Sequence, residues 1–191
     1  MMLRNIYIYG LGMMGGSIAK AMRINNPKVK IFATDNDLKP LEFAKRKKII
    51  DAFDFGEYKF LNKSELIIIC VPMLSYQSAI DIIQLHRKSG SLITDIGSTK
   101  KEIITLVKKN ISINKYFVGS HPLTGKEKAT IKYSSADIFK DSYVLISSTS
   151  KSARKIEKDI INFWRGLNCK TISVNPETHD KILSMTSHLP H

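Results

Sequence analysis

The sequence contains little cysteine and no long hydrophobic run. Cys70 and Cys169 are its only two cysteines and lie about a hundred residues apart, which excludes a disulfide framework and a cysteine-based zinc site and predicts buried thiols. The longest apolar stretch, residues 66–74, is about half the length of a membrane span and contains Pro72. Because no signal-like region follows Met1, we predict a cytoplasmic protein with no membrane partner.

Acidic residues are also few, since 17 Asp and Glu residues stand against 30 Lys and Arg residues and leave a formal net charge of +13. Such an excess can indicate a nucleic-acid partner. Here the basic residues are mainly lysines, dispersed in pairs and triplets without interleaved aromatic side chains, which is typical of a solvated surface. We therefore predict no nucleic-acid partner.

The composition is that of a folded domain. The 191 residues are 43% hydrophobic and 25% charged, which suits one globular domain with a short extension. β-Rich runs alternate with helical patterns, and this alternation predicts an α/β fold with a doubly wound, mainly parallel Rossmann-type sheet and helices on both faces. The predicted strands are residues 5–9, 29–34, 66–71, 91–94, 117–119, 143–147 and 170–174, and the predicted helices are 17–23, 38–47, 75–86, 100–109, 153–167 and 177–185.

A glycine-rich motif, G-x-G-x-x-G, lies directly after the first predicted strand and before the first predicted helix. Gly10 permits a tight turn, Gly12 lets the backbone approach a pyrophosphate, and Gly15 allows the helix to pack on the strand. Met13 and Met14 occupy the variable positions, at a helix N-terminus whose free N–H groups attract phosphate. The motif therefore predicts a dinucleotide site formed by these five residues.

Asp35 favours NAD over NADP as the cofactor. It lies 20 residues after Gly15, where a carboxylate accepts hydrogen bonds from the ribose hydroxyls and repels a 2′-phosphate. Val71 and Pro72, at the end of the apolar run, are assigned to the same cofactor site. The structural alternative is a glycine turn followed by an aspartate that only caps the next helix.

Two further polar turns follow predicted strands. Ser98 lies in the segment 95–100, where it is either a helix N-cap or a contact for substrate or nicotinamide. His121 lies in the Gly- and Pro-rich segment 119–125, and a neutral imidazole there could accept a hydroxyl proton. His121 is the leading candidate for a catalytic base.

The polar segment 124–141 is predicted to be an extended functional loop.

Three histidines, His179, His188 and His191, belong to the last predicted helical segment. The last two are three residues apart and share roughly one helix face, so they could contact substrate, bind a metal or lie on a plain surface helix. Because no third ligand accompanies them at metal spacing, we predict no metal site.

Taken together, four motifs resemble the prephenate dehydrogenase family. They are GLGMMGGS at 10–17, DIGSTK at 95–100, GSHPLTGKEK at 119–128 and HD…SHLPH at 179–191. The resemblance covers essentially the whole chain. It implies a tyrosine-biosynthesis enzyme that uses NAD to decarboxylate prephenate oxidatively, giving 4-hydroxyphenylpyruvate. A close variant of the family acts on arogenate and gives tyrosine.

The resemblance also implies roles for individual residues. His121 is expected to draw the proton from the ring 4-hydroxyl as hydride passes to nicotinamide, and Ser98 to bond both His121 and that hydroxyl. Glu127 matches an acid at the edge of the substrate pocket. The residues Ser187, His188 and His191 are expected to line the substrate side.

Family members continue into a helical dimerisation domain that supplies an arginine for the substrate carboxylate. The resemblance therefore divides this chain into a dinucleotide-binding domain at 1–174 and, at 175–191, the start of that helical domain. It implies a homodimer for a complete member and leaves the activity of these 191 residues alone open. A non-catalytic NAD-binding module is the alternative from a different functional class.

Overall fold

The computed structural model describes residues 3–125, 130–148 and 150–186. Eight strands and seven α-helices are formed by these residues. The strands are β1 (Asn5–Tyr9), β2 (Lys30–Thr34), β3 (Ala52–Asp54), β4 (Leu66–Ile69), β5 (Leu92–Asp95), β6 (Phe117–Pro122), β7 (Tyr143–Ser148) and β8 (Lys170–Ser173). The helices are α1 (Met13–Asn25), α2 (Leu38–Arg46), α3 (Tyr76–His86), α4 (Lys100–Lys108), α5 (Ile111–Asn114), α6 (Lys151–Arg165) and α7 (Pro176–Thr186).

All eight strands belong to one sheet, in the order β3-β2-β1-β4-β5-β6-β7-β8. Every neighbouring pair is parallel except β6 and β7, which run antiparallel. The strand order reverses between β1 and β4, and ligands of such sheets bind where the strands end on either side of that point. The predicted doubly wound, mainly parallel α/β fold is confirmed.

The core consists of two apolar layers, one on each face of the sheet. Leu66 and Ile68 of β4 pack in the layer that includes α1, α2 and α6. Ile67 and Ile69 pack in the layer that includes α3, α4 and α5. Because successive side chains of a strand point to opposite faces, a strand covered on both sides is apolar at every position. This explains the uninterrupted hydrophobic run in the sequence.

Several boundaries differ from the predicted ones. Helix α1 begins at Met13, four residues before the predicted start, and the short elements β3 and α5 were not predicted. Residues Ile131–Tyr133 and Ala136–Phe139 of the predicted loop form short 3₁₀ turns that pack against α1. Cys169 is buried as predicted, whereas Cys70 is only partly buried because it borders a cleft.

None of the helices formed by the described residues is long and apolar enough to cross a membrane. At the C-terminal end of the described chain, α7 packs against α4 and β7. The domain boundary at residue 174 stays a prediction.

Candidate active site

The glycine-rich turn joins β1 to α1. Gly10 adopts a φ of +101°, which favours glycine, and a side chain there would meet the Cys70 carbonyl oxygen at 2.6 Å. A Cβ on Gly15 would lie 2.1 Å from the Gly10 carbonyl oxygen, so only glycine permits this helix to approach the turn so closely. Gly12 is the N-cap of α1, and no side chain caps that helix end. Backbone N–H groups of its first turn are thus available to an anionic ligand.

A cleft of about 700 Å³ opens beside this turn. Asp35 follows the end of β2, where its Oδ2 accepts a 2.6 Å hydrogen bond from the Leu11 N–H. The structure brings together at this cleft seven of the eight residues predicted to bind the cofactor, and the eighth, Gly15, packs behind the turn. The seven are Gly10, Gly12, Met13, Met14, Asp35, Val71 and Pro72.

Asp95 and Lys100 form an ion pair with no solvent exposure where β5 leads into α4. Lys100 Nζ donates to Asp95 Oδ2 at 2.6 Å and to the Gly97 carbonyl oxygen at 2.6 Å. The Asp95 carboxylate also accepts from the Ser120 N–H at 2.9 Å and from the Tyr76 hydroxyl at 3.1 Å. Burial lowers the pKa of Lys100 and outweighs the attraction of Asp95, which acts in the opposite direction.

His121 lies within β6 and was wrongly predicted to lie in a turn after a strand ending at 119. Its Nδ1 is 3.0 Å from Nε2 of His179. Burial, followed by the positive charge of Lys100, lowers the pKa of His121 to about 3. At neutral pH the imidazole is therefore neutral and has an unprotonated ring nitrogen, and the same lowered pKa makes it a weaker proton acceptor than a free imidazole.

His179, on α7, is fully buried, and its Nδ1 is 2.6 Å from Oδ1 of Asp180. Burial lowers the pKa of His179 despite the neighbouring carboxylate. Asp180 also accepts hydrogen bonds at 2.9 Å from the backbone N–H groups of Lys100 and Lys101, at the start of α4. Although burial opposes it, these N–H groups and His179 keep the pKa of Asp180 below its usual range. Asp180 thereby joins α7 to α4.

The cofactor cleft and the buried polar group around Asp95 and His121 lie at the same edge of the sheet. Ile96 lines the cleft, and its neighbour Asp95 bonds to Ser120, the residue before His121.

A family model described as "Prephenate dehydrogenase, nucleotide-binding domain" matches residues 18–173. The chain belongs to the prephenate dehydrogenase family.

Individual members of this family resemble the chain over nearly its full length. Prephenate dehydrogenase of Lactococcus lactis is 31% identical in an alignment of 191 positions, which covers 99% of this chain and 51% of that protein. The Bacillus subtilis prephenate dehydrogenase is 27% identical, with 97% of this chain and 50% of that protein covered. The chain spans about half the length of these curated relatives.

A solved prephenate dehydrogenase from Aquifex aeolicus superposes with a TM-score of 0.92 at 26% identity. The match covers 100% of this chain and 66% of that one. The solved protein is in complex with hydroxyphenyl propionate and NAD+. The prediction of a nucleotide-binding domain, made from the glycine motif, is thereby confirmed.

Ser98 forms neither of two predicted contacts, the bond to His121 implied by the family resemblance and the alternative N-cap of α4 predicted from the local sequence. It is exposed and forms no hydrogen bond, with His121 or otherwise, inside the described ranges. It is also not the N-cap of α4, because Thr99 occupies that position. The Asp180 carboxylate accepts the hydrogen bonds from the first two N–H groups of that helix. A catalytic or substrate-binding role for Ser98 stays a prediction.

Several predicted substrate residues lie outside the described part of the chain. They are Glu127, Ser187, His188 and His191. In the residues that are described, no group of three or more His, Cys, Asp or Glu side chains could hold a metal ion.

Three features of the site were not predicted. They are the buried Asp95–Lys100 pair, the contact of His179 with His121, and the position of Tyr58 at the cofactor cleft. The Tyr58 ring stacks on Tyr9 with centroids 6.2 Å apart and thereby forms part of the cleft wall. The only sequence signal for the contact of His179 with His121 is the HD pair at 179–180, and that pair does not indicate that His179 lies near His121.

Proposed function

We propose that this chain binds NAD and uses it to decarboxylate prephenate oxidatively, giving 4-hydroxyphenylpyruvate. The observation that carries the proposal is His121, a neutral imidazole at the same sheet edge as the cofactor cleft. The confirmed family and the NAD+ complex of the Aquifex aeolicus protein support it. A homodimer, formed through residues beyond this domain, is the assembly that we propose for the complete enzyme.

In the proposed reaction, the turn at Gly10–Gly12 and the first turn of α1 receive the pyrophosphate, and Asp35 receives the adenosine ribose. Bound NAD+ would supply the hydride acceptor. His121 accepts the proton of the substrate 4-hydroxyl while the hydrogen on the same carbon leaves as hydride. The C–C bond to the departing carboxylate then breaks, carbon dioxide leaves, and its electron pair makes the ring aromatic.

Substrate oxidation tests the proposed function directly. NADH formation is followed by absorbance with prephenate and with arogenate, using the 191-residue chain and an extended chain that adds the C-terminal region of the Lactococcus lactis relative. We expect turnover of prephenate by the extended chain, because the added region completes the substrate side and excludes water. NAD binding without NADH from either substrate would favour a non-catalytic module, and a preference for arogenate would change the substrate assigned.

Replacing Asp35 by alanine is expected to weaken NAD binding roughly 10- to 100-fold, because a charge-assisted hydrogen bond contributes about 1.5–3 kcal/mol. The preference for NAD over NADP should also narrow, since the negative charge that repels a 2′-phosphate is removed. Calorimetric titration of the 191-residue chain with each cofactor measures both effects.

Asp35→Asn is the matched control because its amide oxygen can still accept the hydrogen bond from the Leu11 N–H. This variant separates the effect of removing the negative charge from the effect of losing the hydrogen bond that holds the glycine-rich turn. If both variants kept the wild-type ratio of NAD to NADP affinity, Asp35 would not select the cofactor.

A further inference from the structure

His179 forms the middle of a hydrogen-bonded series that runs from α7 to β6. Its Nδ1 contacts Asp180 at 2.6 Å, and its Nε2 contacts Nδ1 of His121 at 3.0 Å. The His179 side chain has no solvent exposure. Asp180 is itself fixed in place by two backbone N–H groups of α4. The imidazole of His179 therefore has one orientation relative to His121.

The positions of the protons follow from Asp180. An ionised carboxylate only accepts hydrogen bonds, so Nδ1 of His179 must carry a proton. Because burial keeps His179 neutral, its Nε2 then has a lone pair and accepts. The proton between the two histidines must consequently belong to Nδ1 of His121. In a neutral imidazole this leaves the lone pair on Nε2 of His121.

We propose that His179, oriented by Asp180, is a positioning residue that keeps His121 in the tautomer with a proton on Nδ1 and a free lone pair on Nε2. The consequence for catalysis rests on the proposed function, whereas the tautomer is a property of the unliganded chain. When Nε2 accepts the substrate hydroxyl proton, His121 becomes an imidazolium whose Nδ1–H still bonds to His179. Burial and the nearby Lys100 ammonium oppose this cation, whereas the negative charge of Asp180, at the far end of the series, favours it.

Nitrogen-15 NMR of the unliganded 191-residue chain tests the tautomer without substrate. The ring signals of His121 are assigned as those that disappear in His121→Asn. We expect a protonated Nδ1 and an unprotonated Nε2 in the wild type and in His179→Gln, whose amide oxygen can accept the same hydrogen bond. In His179→Leu, which offers no acceptor, both tautomers should be populated. A wild-type His121 protonated on Nε2 would overturn the proposal, and this outcome can be read even if the leucine variant does not fold.

Turnover by the extended chain provides the second readout. Fixing the tautomer of a catalytic histidine contributes up to about 10⁴-fold in serine proteases, so we expect His179→Leu to lower kcat at least about tenfold. NAD affinity should stay unchanged, and His179→Gln should recover most of the lost kcat. An undiminished kcat in the leucine variant would contradict the positioning role. Absence of turnover in the wild type would instead refute the proposed function, and the NMR result would still decide the tautomer.

Discussion

Replacing Lys100 by methionine is expected to lower the free energy of unfolding by about 3–5 kcal/mol, because it leaves the Asp95 carboxylate buried without its cation. Neither side chain of the pair is exposed to solvent. The remaining donors to Asp95, among them the Ser120 N–H and the Tyr76 hydroxyl, are neutral and do not replace the charge. Urea denaturation of the 191-residue chain measures the loss.

A double variant distinguishes an unpaired charge from simple loss of packing. Asp95→Asn combined with Lys100→Met removes both charges, so it should be at least about 1 kcal/mol more stable than Lys100→Met alone. Lys59→Met is the control for an exposed ion pair, since both Lys59 and its partner Glu57 are largely exposed, and it should leave the denaturation midpoint unchanged. A double variant no more stable than Lys100→Met would show that the charge of Asp95 is not the cause.

The fold could be predicted where the evidence is local in sequence. The run 66–71 and the glycine motif each specify their element within a few residues, and both predictions agree with β4 and with the β1–α1 turn. The start of α1 was placed too late because Gly15 and Gly16 weaken the helical signal. In the structure these glycines are helical because the helix packs closely on the turn and on Ile131.

The strand β6 could not be delimited from its own residues. Gly119 and Pro122 indicated a turn, yet both pair with β7 in an antiparallel register. The partner residues of β7 lie more than 20 residues further along the chain, at Val144 and Ser147. Strand β3 was missed for a related reason, since its three residues are too few to show alternation and only pairing with β2 makes them a strand.

The site was predictable in its residue types and not in its pairings. Asp35 follows from its distance to the glycine motif, whereas His121 and His179 are 58 residues apart and meet only because α7 packs on α4. Asp95 and Lys100 are the two ends of the DIGSTK motif, but charged side chains are seldom fully buried, so sequence alone favours exposure for each. Pairings of this kind depend on the assembled fold.

Replacing His121 by asparagine is expected to lower kcat of the extended chain by about 10²–10⁴-fold, the usual contribution of a general base. NAD affinity should not change, since His121 does not line the cofactor cleft. The pattern is the reverse of that expected for Asp35→Ala, which should weaken NAD binding and retain kcat at saturating NAD. Loss of NAD binding in His121→Asn would identify His121 as a structural residue.

The pH profile gives an independent test of the same residue. Because the pKa of His121 is lowered to about 3, its proton-accepting neutral form persists as the pH falls from about 8 to 5. Protonation of His121 in the free enzyme should therefore produce no decrease in kcat/KM over that range. Below about pH 6.5 the unfolded chain protonates His121, whereas the folded chain, with its lowered pKa, does not. The free energy of unfolding should therefore fall on acidification, by up to about 1.4 kcal/mol per pH unit for this histidine. A kcat/KM that fell with an apparent pKa near 6.5, and a stability that His121→Asn left equally sensitive to acid, would contradict a buried neutral base at this position.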